Sequence, residues 1–166
     1  NFFREACLRA TPTVVDRIDQ RAAVIYPIVL GDRLEIIVSL PGQQLRHYAS
    51  PIDRTEFEAL TNRLRQLLVL RVGRQYLSGM QKLYDWIMRP LEADLIGSQT
   101  QTIVFVLDGT LRNLPMAALH DGNQFLIEKY SVALTPGLQL LNPRPLQERN
   151  LRVLTAALSE SRQGFS

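Results

Sequence analysis

The spacing of apolar residues changes along this chain, and each change marks a new kind of element. Between residues 20 and 50 the apolar positions come in short bursts divided by turn-forming pairs. Residues 22–30 predict a strand, Gly31-Asp32-Arg33 a turn, 34–40 a second strand, Pro41-Gly42 another turn and 44–49 a third strand, together an antiparallel meander. In the second strand Leu34, Ile36 and Val38 oppose Glu35, Ile37 and Ser39. The alternation is partial, which predicts a sheet with both faces at least partly covered. Pro27 carries no N–H for a ladder, so the first strand is expected at an edge or with a bulge.

The period then lengthens. Phe57, Leu60, Leu64, Leu67 and Leu68 recur at helical spacing, and Asp53-Arg-Thr-Glu56 ahead of them has the form of a capping box. Gly73 interrupts the pattern. It resumes as Tyr76, Leu77, Met80, Leu83, Tyr84, Ile87, Met88 and Leu91 on one wide face, which Pro90 should kink or end. A short linker, 97–100, closes this helical segment. After it comes a continuous apolar run at 103–107, expected as a strand covered on both faces. An Asp108-Gly109 turn follows, then a short helix over 115–119 with proline in its first turn, and a turn at 120–123. A strand is expected over 130–134, a helical turn at 137–141, a stiff linker at Pro143 and Pro145, and a last strand at 151–158. The start of the chain, 1–9, reads as the end of a helix with Phe2, Phe3, Ala6 and Cys7 on one side.

Composition narrows the class. The chain has 166 residues, 46% of them hydrophobic and 21% charged, enough for one domain with a true core or for two small lobes. No apolar run reaches the roughly 20 residues of a membrane span, and Arg4 and Glu5 interrupt the start too early for a signal peptide. A cytoplasmic protein without a membrane partner is the expectation. The formal charge is +3, with Lys82 and Lys129 as the only lysines. Arg63, Arg65, Arg71 and Arg74 come nearest to a basic cluster, but they interleave with a helical apolar face. They read as a solvated helix surface, and nucleic acid is not the expected partner.

The order of motifs in the final third resembles the CHAT domain, a caspase-like and separase-like peptidase family often found behind tetratricopeptide repeats. Leu83-Tyr84 and Pro90-Leu91 resemble its positions on the long helix before the core. Leu107-Asp108-Gly109 stands at its Asp-Gly turn, and Leu114-Pro115 with Ala118-Leu119 at its Leu-Pro-Phe-x-Ala-Leu step. Residues 125–128 and 130–134 match its Tyr-Leu-Ile-Glu and following strand, whereas Thr135-Pro136-Gly137 departs from the usual Pro-Ser. The resemblance covers roughly 20–158. It implies an α/β fold: a mixed sheet holding the meander and strands near 102–108, 130–135 and 151–157, with the two long helices over one face. It divides the chain into 1–19, the end of an upstream repeat-linking helix and its linker; 20–158, the N-terminal part of a CHAT domain; and 159–166, a frayed tail.

The chemistry that such a peptidase needs is a thiolate and an imidazole within hydrogen-bond reach. Cys7 is the only cysteine and sits among Phe2, Phe3 and Leu8, as a small buried hydrophobe would. Of the two histidines, His47 lies on a short strand and His120 lies beside Asp121 in a turn. No catalytic residue is assigned here, because the resemblance places the family's His and Cys beyond Ser166. Two histidines and one cysteine, widely separated, give no zinc spacing, and the turn glycines Gly109, Gly122 and Gly137 form no phosphate cradle, so no metal or cofactor is expected. The functional expectation is a non-catalytic subdomain of a partner-activated cysteine endopeptidase. Its expected partners are the catalytic half, upstream tetratricopeptide-type repeats and, through an exposed sheet edge, other copies of itself. The alternative is a free-standing interaction or scaffolding module, unrelated to proteolysis, whose arginine-rich helices meet an acidic protein or a nucleic acid. A hydrolase built on His120 is a third and weaker reading.

Overall fold

The structure, a computed structural model, describes residues 19–42, 44–70 and 73–135. The meander forms as the turn chemistry dictates: β1 is Ala22–Val29, β2 Leu34–Leu40 and β3 Gln44–Ser50, paired antiparallel in sequence. Helix α1 spans Arg54–Leu70 and α2 spans Tyr76–Ile87. One 3-10 turn at Arg89–Leu91, begun by Pro90, leads into the short α3 at Glu92–Gly97. Strand β4, Thr102–Val106, then returns to the sheet, followed after two 3-10 segments by the one-turn α4, Leu126–Lys129, and by β5, Ser131–Thr135. The described sheet is mixed, in the order β3-β2-β1-β4-β5, with β1, β4 and β5 parallel.

Both long helices cover one face. Ala23, Ile25, Leu34, Ile36, Val38, Ile103 and Phe105 from the sheet join Phe57, Leu64, Met80, Leu83, Tyr84 and Ile87 from the helices in a single buried core. The opposite face carries a smaller cluster around Ala22 and Val24, half-covering Tyr26, Val104 and Val106. Strand β4 is thus buried on the helix side and half-buried on the other, a milder form of the two-sided burial that its apolar run predicts.

The expectation for Pro27 is corrected. Strand β1 is the middle strand, and its register with β2 runs from Val24↔Ser39 to Val29↔Leu34 without a bulge. Leu30 N–H donates to Arg33 C=O at 2.9 Å, so the even-numbered residues of β1 point their N–H groups at β2. Pro27 therefore turns its missing donor toward β4, whose pairing with β1 ends at Ile25↔Phe105. A proline is tolerated inside a central strand here because the neighbour on that side has already run out.

Two local forms also differ from expectation. The segment after β4 is wound into 3-10 turns at Gly109–Asn113 and Met116–Ala118 in place of one helix over 115–119. Leu111, Leu114, Met116 and Leu119 are all buried, and four anchors in nine residues hold the chain to short turns. The expected elements at 1–9, 137–141, 143–145 and 151–158, together with Cys7, Arg71 and the 159–166 tail, lie outside the described residues.

Candidate functional site

The densest polar constellation among the described residues sits where α2 ends. Proline at position 90 stops the helix, and the 3-10 turn swings Arg89 and Glu92 back beside Tyr84. Tyr84, fully buried, donates its hydroxyl to Glu92 Oε1 at 2.6 Å. Arg89 Nη1 reaches Glu92 Oε2 at 3.2 Å, its Nη2 reaches Asp85 Oδ1 at 2.8 Å, and Nη2 also donates to the Asp121 carbonyl at 3.0 Å. From the other side Lys129 Nζ donates to Tyr84 Oη at 3.1 Å and to Asp121 Oδ2 at 2.9 Å. Both cations also lie over the Tyr84 ring, at 5.1 Å and 5.5 Å from its centroid.

Local sequence explains each placement. Asp121 closes its own turn by accepting the N–H groups of Asn123 at 2.7 Å and Gln124 at 2.9 Å. Glu128 holds the one-turn α4 by accepting the Phe125 N–H at 2.5 Å, which leaves Lys129 aimed inward. Asp108 Oδ1 accepts the N–H of Gly109 at 2.7 Å, and that glycine takes φ +55°, the left-handed conformation the Asp-Gly turn requires.

Charge follows the geometry. Burial works to raise the Asp121 carboxyl, but the two backbone donors and the Lys129 ammonium outweigh it and hold the group well below the usual carboxylate range. Glu92 is likewise lowered, with Tyr84 and Arg89 overcoming burial. Burial pulls Lys129 down, and Asp121 and Tyr84 more than reverse it, so its ammonium is held raised. The Tyr84 hydroxyl is pushed up to about 12, by burial first and by the neighbouring Glu92 next. Tyr84, Glu92, Asp121 and Lys129 are each thereby fixed in one protonation state across neutral pH. The arrangement clamps the 119–126 turn to the α2–α3 corner, and it has none of the poise near neutrality that proton transfer asks for.

The two histidines stand apart from it and from each other. His47 is exposed on β3 and pairs through Nε2 with Glu35, which also holds Arg33. Glu35 is only 6% exposed, on the sheet face away from the helices, and Arg33 and then His47 keep its carboxyl lowered. His120 is buried. Its Nδ1 accepts the Gly122 N–H at 3.0 Å and lies 3.4 Å from the Gln81 amide, and its ring meets Phe125 edge-on at 4.8 Å. Its neighbour in sequence, Asp121, turns to Lys129 instead. Among the described residues no Ser, Thr or Cys is bonded to either imidazole, and no group of three or more His, Cys, Asp or Glu is placed to hold a metal ion. Among the described residues no helix is long and apolar enough to cross a membrane.

Sequence reading found Tyr84 on an apolar face and in the Leu83-Tyr84 motif, and did not join it to Glu92, Asp121 and Lys129. Two signals were available: the acid-base spacing Asp85-Arg89-Glu92 around Pro90, and one of only two lysines standing next to a glutamate.

The comparisons with known proteins extend this geometry. The model of the CHAT domain family matches residues 78–165, more than half of the chain, which takes in the whole clamp from Tyr84 to Lys129. No curated protein matches. Among solved structures, a chain of a PilM-PilN type IV pilus biogenesis complex is similar at 12% identity and a TM-score of 0.35, over 78% of this chain and 40% of that one. A likeness at that score carries no argument, and this chain spans two fifths of the other's length.

Proposed function

Since this chain belongs to the CHAT domain family, a caspase-like peptidase family, we propose that it is a non-catalytic supporting part of a partner-activated cysteine endopeptidase. His120 carries the reading. It is the one histidine inside the matched region, and its Nδ1 is committed to the Gly122 backbone while its ring is packed on Phe125. An imidazole held that way closes a turn; it does not deprotonate a thiol. The clamp beside it has the same character, with charges paired and fixed rather than poised.

The core supports the companion claim that a catalytic half docks here. Leu134 pairs in register with Phe105 and so faces the helix side of the sheet, yet it is 53% exposed. The cover that α1 and α2 give the centre of the sheet runs out at β5. In this reading the catalytic half supplies the missing cover, and upstream tetratricopeptide-type repeats report the activating partner to it through this chain.

The test is reconstitution. The chain and the segment that completes the domain in its gene product are expressed together as separate polypeptides. They are expected to copurify and to cleave a protein substrate jointly, and Leu134→Asp is expected to part them. Failure to associate, or cleavage by this chain alone, overturns the proposal.

A further inference from the structure

Helix α1 buries Phe57, Thr61 and Leu64 against the core. At 3.6 residues per turn, Asn62, Gln66, Val69 and Leu70 emerge on the opposite side, with Arg65 along one margin and Arg63 along the other. All six are exposed, Val69 at 73% and Leu70 at 68%. Two neighbouring branched side chains that open to water lose apolar cover, and exposed apolar pairs of this kind with a polar rim mark contact sites.

The charge around them is one-sided. From residue 59 to residue 84 the chain has no acidic residue, but it has Arg63, Arg65, Arg71, Arg74 and Lys82. Lys82 pairs with Glu56, and Arg54 at the start of α1 pairs with Glu58. Arg63, Arg65 and Arg74 are exposed and form no ion pair among the described residues. The helix thus matches its carboxylates to cations in its first turns and leaves the guanidiniums of its last turns open.

We infer that this outer face of α1 docks an amphipathic helix of a partner protein, with an apolar pair set between carboxylates. Val69 and Leu70 take the apolar pair. Arg63 and Arg65 fork onto the flanking carboxylates, a geometry that guanidinium and carboxylate share. The stripe from 62 to 70 is about 12 Å long, two turns of a facing helix. A phosphate track is disfavoured, because the stripe ends in two aliphatic side chains and offers no aromatic ring on which a base could stack. The site lies wholly upstream of the family match at 78–165, so it does not depend on the peptidase reading.

The probe is a fluorescein-labelled helical peptide with a Glu-x-x-Leu-Leu-x-x-Glu core, titrated by anisotropy against the full chain. Arg63→Glu with Arg65→Glu, and separately Val69→Ser with Leu70→Ser, are each expected to weaken binding by about tenfold or more. Arg21→Glu, an exposed arginine just ahead of β1 and outside helix α1, is expected to change nothing. Replacing both glutamates of the peptide by glutamine should cost as much as the arginine reversal. The proposal is overturned if the peptide does not bind, if all variants bind it equally, or if the glutamine peptide binds as well. It also falls if an oligouridine RNA displaces the peptide and is bound through the arginines without regard to Val69 and Leu70.

Discussion

Tyr84 shows how one side chain can serve two purposes. Its ring belongs to the core and its hydroxyl to the clamp. Replacing it with phenylalanine keeps the ring and strips Glu92 and Lys129 of a shared partner, leaving two charged groups less well satisfied. The expected loss is about 1–3 kcal/mol in urea unfolding, with the slope unchanged. The same clamp sets the response to pH. Tyr84 in the clamp, and separately Tyr48 on β3, which is half-buried and donates to Asp94, are both pushed up to about 12 from the ordinary 10, so the unfolded chain ionises them first and stability falls as the pH rises from 10 toward 12. On the acid side Asp121 and Glu92 are lowered, so their contribution is complete above the ordinary values of 3.8 and 4.5 and is lost as the pH falls below them. Absorbance at the tyrosinate band, followed with circular dichroism across both limbs, checks the two halves together. A tyrosine titration centred wholly near 10 contradicts the clamp.

At the level of elements, the sequence was most legible where one rule acted alone. The bounds of β2 were readable to the residue because turn pairs close both its ends. Asp53 caps α1 as its spacing implies, accepting the Glu56 N–H at 2.8 Å. The reciprocal half of that box is absent: Glu56 turns to Lys82 on α2 instead, a contact that no local pattern encodes. Asp53→Ala is expected to cost about 1 kcal/mol. Pro27 was misread for a similar reason. Its tolerance depends on where β4 stops, which is decided some eighty residues further along the chain. Helix α2 owes its close seat on α1 to Gly79, where an added Cβ would come within 2.6 Å of Leu64 Cδ2. Leu64 is itself buried and has little room to yield. Gly79→Val is therefore expected to destabilise by about 1–3 kcal/mol in thermal or urea unfolding, although valine is the better helix former. A neutral or stabilising outcome would show that the two helices can part freely.

For the molecule as a whole, the α/β class, the mixed sheet and the family were legible because several weak motifs fell in the right order: Leu83-Tyr84, Asp108-Gly109, Leu114-Pro115 and the Leu-Ile-Glu of α4. The structure gives these residues folding work. Glu128 caps α4, Gly109 turns the chain, and Leu114 and Leu119 anchor the 3-10 segment. The clamp was not legible, because Tyr84, Glu92, Asp121 and Lys129 meet only after Pro90 has bent the chain and the 121–124 turn has closed. Such a fold-built contact explains how a family signature can mark support as well as catalysis. The most direct measurement is protein cleavage by the whole gene product with His47→Ala and His120→Ala introduced together. The account predicts cleavage at the unaltered rate, with the imidazole and thiol of the reaction supplied from outside this chain. Loss of cleavage in a protein that remains folded, or a gene product that cleaves nothing when its partner is present, would contradict it.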